Sequence, residues 1–308
     1  NIKRLLAAYR ECLEAGAEIV ITPEMSLVGY PPRDLVFKSH FVPKCLQALD
    51  HLAGEIREVP LIVGYIDHHD SGKPGKPFRN AAAWLENGEI RHRLWKTLLP
   101  TYDVFDERRY FEPGESCGPI AWKGKRIGVT ICEDIWTEDY LQRPLYDRDP
   151  AEELAAKGID LLLNLSASPF HIDKPVERRE MLGKVARQAN VPIIYCNAVG
   201  GQDQLVFDGH SVVIRDDGSC AAQMKGFAEE TLVIDPFAAT DSELGPLRTA
   251  LKEQAGDAKI QLQLAKALHR NGDTEAVLHL QQAGRDPWIR PEVEAFLALD
   301  PTRKASTS

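Results

Sequence analysis

The chain has 308 residues, 44% of them hydrophobic and 27% charged, with a net charge of −9. That length and composition fit one large globular domain or two ordinary ones. The acidic balance argues against a general nucleic-acid binder, no apolar run approaches the ~20 residues of a membrane helix, and no charged-then-apolar leader opens the sequence, so a cytoplasmic protein is expected.

Residues 2–15 carry Ile2, Leu5, Leu6, Tyr9 and Leu13 at helical spacing, with Gly16 as the stop. The chain starts at Asn1 directly in this helical pattern, and a preceding strand is expected. Ala17–Thr22 reads as a strand ending in Pro23-Glu24, and Met25–Leu35 as a Gly/Pro-rich loop. Ser39–Glu58 reads as a second helix and Val59–Ile66 as a strand, before a polar loop over Asp67–Asn80. Ala81–Glu86 and Glu89–Trp95 form a hairpin around Asn87-Gly88, followed by a long irregular segment over Lys96–Gly118. Pro119–Lys123 and Lys125–Ile131 pair around Gly124. A helix near Pro150–Lys157, a strand at Ile159–Leu165, a helix over Lys174–Asn190 and a strand at Val191–Asn197 follow. His210–Arg215 and Ser219–Met224 pair around Asp217-Gly218, and Thr231–Asp235 is expected as the last strand. Strands and helices in this order suggest two sheets faced by helices. After about Ala238 the sequence turns rich in Ala, Leu, Gln and Glu. Two helices around Asn271-Gly272-Asp273, in the manner of a tetratricopeptide hairpin, and a third at Pro291–Leu299 are expected there, with a frayed end.

The six cysteines, Cys12, Cys45, Cys117, Cys132, Cys196 and Cys220, contain no Cys-x-x-Cys pair. Neither a zinc site nor a disulfide framework is suggested, and Cys117, Cys196 and Cys220 are expected to be structural. The pair His68-His69 lacks Cys or carboxylate at ligand spacing, so no metal is expected. No Gly-rich phosphate loop occurs, so no nucleotide site and no cofactor is expected.

Three stretches share one form, an apolar strand that ends in an ionisable residue at a loop: Ile19-Val20-Ile21-Thr22-Pro23-Glu24, Leu94-Trp95-Lys96 and Val129-Thr130-Ile131-Cys132. If the three strands lie side by side, Glu24, Lys96 and Cys132 converge at one end of a sheet. A free thiol is mostly protonated at neutral pH. A carboxylate within reach can take its proton, and a lysine beside the pair favours the thiolate and can stabilise a tetrahedral oxyanion. That predicts acyl transfer from a C–N bond through a thioester. The bland alternative is a small buried thiol beside two surface charges.

Glu24 in Thr-Pro-Glu-Met-Ser-Leu, Lys96 before Leu-Leu-Pro-Thr-Tyr, and Cys132 in Ile-Cys-Glu-Asp-Ile-Trp resemble the Glu-Lys-Cys triad of the nitrilase superfamily. Within it, Gly29–Asp34, Leu99–Phe111 and Ser166–Phe170 are most similar to the glutaminase domain of glutamine-dependent NAD synthetase. The resemblance covers residues 1–237 and implies an α/β fold, a four-layer αββα sandwich. It implies Glu24 as general base, Lys96 as oxyanion stabiliser, Cys132 as nucleophile and Glu107 as a supporting glutamate. It also implies that Tyr30, Tyr102, Glu133, Trp136, Ser168 and Lys174 hold L-glutamine, with Glu133 and Lys174 supplying one charge of each sign.

Residues 238–308 then form a helical extension without the Ser-Gly-Gly-Ile-Asp-Ser loop of a synthetase domain. The resemblance therefore implies a glutaminase that feeds a separate NAD synthetase, and a homo-oligomer. The alternatives are an amidase or carbamoylase acting on another small amide, and a scaffold that uses the same body to recruit a partner.

Overall fold

The structure, a computed structural model, describes residues 1–69, 72, 74–115, 118–136, 145–238, 247–252, 254, 256–270 and 275–298. Two compact units divide it, Asn1–Pro236 and Phe237–Ser308.

The first unit holds two large sheets and a two-stranded one. One has four strands in the order β1 (Val20–Ile21), β2 (Leu61–His68), β3 (Phe78–Glu86), β4 (Glu89–Trp95). The other has six, in the order β12 (Cys220–Gln223), β11 (Val212–Ile214), β8 (Ile193–Asn197), β7 (Leu161–Ser166), β6 (Lys125–Ile131), β5 (Ile120–Trp122). Helices α1 (Ile2–Glu14) and α2 (Phe41–Glu55) pack Tyr9, Cys45, Leu49 and Leu52 onto the first sheet. Helices α3 (Pro150–Ala156) and α4 (Lys174–Ala189) pack Leu154, Met181, Leu182 and Val185 onto the second. The order is αββα, as the resemblance implies. β2 and β7 are buried along nearly all their length because each lies between a helix layer and the opposite sheet.

The expected hairpins form where the turn residues can take positive φ. Asn87 and Gly88 do so at 52° and 81°, and Lys123 and Gly124 at 44° and 76°. Four expectations need correction. β1 shrinks to two residues, because only Val20 and Ile21 find partners, Leu61 and Ile62 of β2. β3 begins three residues before Ala81, because β2 continues to His68 and pairs it with Phe78. Thr231–Asp235 forms no strand, and Leu232 and Val233 are exposed there. A hairpin of β9 (Val199–Gln202) and β10 (Leu205–Asp208) was not expected, since its turn at Asp203 lacks the usual glycine.

The second unit contains α5 (Ala258–Arg270), α6 (Glu275–Ala283) and α7 (Arg290–Ala298). Leu262, Ala265, Leu280, Ala283, Ile289 and Val293 make one core of this unit. The turn Asn271-Gly272-Asp273 and Cys117 lie outside the described residues. No helix among the described residues is long and apolar enough to cross a membrane.

Candidate active site

Glu24, Lys96 and Cys132 do meet, but their strands are not side by side. β1 and β4 are the two edges of the first sheet, and β6 belongs to the second. The three residues converge between the sheets, 2%, 1% and 5% exposed. Gly64 of β2 lets the Glu24 loop approach, since a Cβ there would stand 2.3 Å from Met25 N and 2.7 Å from Pro23 O. Glu24 is then tied to the second sheet, its N–H donating to Ser166 O at 3.3 Å and its Oε2 accepting from Ala167 N–H at 3.0 Å.

Lys96 Nζ donates to Glu24 Oε1 at 2.8 Å and to Glu107 Oε1 at 2.6 Å. Burial alone would lower the lysine's pKa, but the two carboxylates outweigh it and hold the ammonium charged beyond its ordinary range. Burial raises the Glu107 carboxyl, against the pull of Lys96. Asn80 bridges the same pair of carboxylates, donating to Glu24 Oε1 at 2.6 Å and Glu107 Oε2 at 3.2 Å. Tyr30 donates to Glu107 Oε1 at 2.9 Å, so it braces this carboxylate.

Cys132 follows β6 with φ of +46°, a conformation costly for a residue with a Cβ, and opens a short helical turn, Cys132–Ile135. Asp134 holds that turn. Its Oδ1 accepts from Thr97 and Leu98 N–H at 2.9 and 2.7 Å, and its Oδ2 from Ile131 N–H at 3.2 Å. It therefore joins the chain after Lys96 to the chain around Cys132. Burial, then the Glu24 charge, push the Cys132 thiol well above its ordinary pKa, although Lys96 pulls it down. That direction favours the protonated form of the resting sulfur.

Beside this cluster, Glu133 Oε1 accepts from Tyr102 at 2.7 Å and from Tyr146 at 3.1 Å. Lys174 opens α4 and sets Nζ 4.2 Å from the Trp136 ring centroid. Ser168 accepts at Oγ from Arg178 at 3.3 Å, and its N–H donates to Asn197 at 2.9 Å. Arg178 is itself buried and forks onto Asp208 with two bonds of 3.1 Å. Of the pair His68-His69, His69 accepts from Arg79 at 3.0 Å and the His68 ring packs against Phe78.

Asn80, Asp134, Tyr146 and Arg178 escaped sequence reasoning. Only Asp134, two residues past the cysteine, and Asn80, a lone polar residue opening the run Ala81-Ala82-Ala83-Trp84, carried any local signal.

The carbon-nitrogen hydrolase family model matches residues 1–238. The chain belongs to the carbon-nitrogen hydrolase family. This hydrolase is 34% identical to the glutamine-dependent NAD(+) synthetase of Synechocystis sp. over 91% of its own length and 51% of that protein's. It is 39% identical to the glutamine-dependent NAD(+) synthetase of Thermotoga maritima over 76% of its length and 39% of that protein's. The chain thus spans about half, or less, of these relatives. Among solved structures, the glutamine-dependent NAD+ synthetase of Acinetobacter baumannii superposes with a TM-score of 0.66 at 27% identity, covering 87% of this hydrolase and 53% of that chain. An amidase from Nesterenkonia sp. superposes with a TM-score of 0.59 at 23% identity, covering 73% and 80%, a likeness of fold alone.

Proposed function

We propose that this hydrolase cleaves the carboxamide of L-glutamine to glutamate and ammonia through a Cys132 thioester. The observation that carries the reading is the buried Lys96 ammonium shared by Glu24 and Glu107 beside the Cys132 turn. Glu24 takes the Sγ proton as the sulfur adds to the amide carbon, so the thiolate exists only with substrate in place. The oxyanion accepts a hydrogen bond from Lys96. Collapse breaks the C–N bond, and the amine leaves as ammonia with the proton from Glu24. Water, deprotonated by Glu24, then adds to the thioester, and the thiol departs with a proton. Glu107 keeps Lys96 and Glu24 in register.

An amino-acid substrate brings one charge of each sign. Glu133 faces the α-ammonium and Lys174 the carboxylate, with Tyr102, Trp136 and Ser168 around them and Tyr30 acting through Glu107. The names of the relatives support glutamine as the amide and NAD synthesis as the use of the ammonia.

Ammonia release from L-glutamine by the chain and by Cys132→Ala tests this. The wild type turns over and the variant loses roughly three or more orders of magnitude. A folded wild type that neither binds nor hydrolyses glutamine overturns the reading.

A further inference from the structure

Glu133 receives two hydroxyls on one oxygen. Tyr102 and Tyr146 both donate to Oε1, and Oε2 takes no hydrogen bond from the described residues. The two phenols arrive from separate parts of the chain. Tyr102 lies in the loop after Lys96, whereas Tyr146 lies in the stretch that leads into α3. That stretch is anchored independently. Arg148 forks onto Glu153 with bonds of 2.9 and 2.8 Å, and Asp149 Oδ1 caps α3 by accepting from Glu152 N–H at 2.9 Å. Tyr146 is thus a fixed donor at the end of a fixed segment. A carboxylate gripped at one oxygen from two sides loses its rotational freedom and keeps the other oxygen as an acceptor in a fixed place.

We propose that Tyr146 is a positioning residue that fixes Glu133 for the substrate's α-ammonium, and so sets the preference for an amide bearing an α-amino group. This rests on the glutamine reading above. The chemistry at Cys132 needs no ammonium, so an amide without one has nothing to gain from a well-aimed Glu133. Glutaramate, which is glutamine without its α-amino group, isolates that interaction.

The experiment compares kcat and KM of the wild type and Tyr146→Phe for L-glutamine and for glutaramate. The ratio of kcat/KM between them falls roughly tenfold in the variant, through KM, as expected for one hydrogen bond to a charged group. A wild type that prefers glutamine, with an unchanged ratio in the variant, overturns the assignment of Tyr146 and leaves the glutamine reading standing. A wild type with no preference for glutamine overturns both. Calorimetric titration of L-glutamine into Cys132→Ala, with and without Tyr146→Phe, reads binding free of turnover. A roughly tenfold weaker Kd is expected, and an equal Kd overturns the proposal.

Discussion

The charge on Lys174 is set by its surroundings rather than by its chemical type. Lys174 sits mostly out of water and one helical turn from Arg178, and burial first, then that second cation, lower its pKa to about 8. The sign follows directly. Below about 8 the ammonium is charged and can hold a carboxylate, and above it the charge is lost. KM for glutamine should therefore climb as pH passes 8, approaching tenfold per unit. The substrate's own ammonium titrates in the same alkaline range. Lys174→Arg, charged throughout, isolates the lysine's share: its KM profile should be flatter than the wild type's. Equal profiles would remove Lys174 from carboxylate binding. At this scale the cluster was legible where an ionisable residue ended an apolar strand, as at Glu24, Lys96 and Cys132. It was not legible for Tyr146 or Arg178, because each acts on a partner ten or more residues away in sequence. The nearest of those partners, Ser168, is ten residues from Arg178.

At the scale of the element, a strand that contributes no residue to the cluster decides where Glu24 stands. Gly64 lies in the middle of β2, where a side chain would run into the backbone of Pro23, Glu24 and Met25. Gly64→Ala should displace that loop and carry Glu24 away from Lys96. A loss of ~1–3 kcal/mol in stability, of the order seen for overpacking, together with a fall in kcat larger than the fall in folded protein, is the expected result from denaturant unfolding and steady-state assays. Turn chemistry made the Asn87-Gly88 hairpin easy to read, and apolar runs did the same for β6 and β7. Pairing made the rest hard. Thr231–Asp235 has strand composition but lines no ladder, whereas Val199–Gln202 contains two glycines and still pairs with Leu205–Asp208. Which strands are neighbours was the least legible of all, since Glu24 and Cys132 reach each other across two sheets.

For the whole catalytic unit, the site exists only while the sheets are docked. The first contributes Glu24, Asn80, Lys96 and Glu107, the second Cys132, Glu133, Ser168 and Lys174. Trp84 of β3 is wholly buried, with its ring centroid 6.5 Å from that of Trp122 on β5, so it bridges the two. Trp84→Ala should cost about 3–5 kcal/mol, read as a lowered thermal midpoint. Activity should fall more steeply with temperature than helix content, because loosening between the layers separates Glu24 from Cys132 before either layer melts.

The neutral thiol at Cys132 has a consequence beyond hydrolysis. Peroxides and alkylating agents attack thiolates, and a sulfur that is buried and protonated at rest offers them little. The exposed Cys220 stands ahead of it in line for such damage. Cys132 should therefore be labelled more slowly than Cys220 by peroxides and alkylating agents, and mass-spectrometric mapping of the labelled chain checks that order.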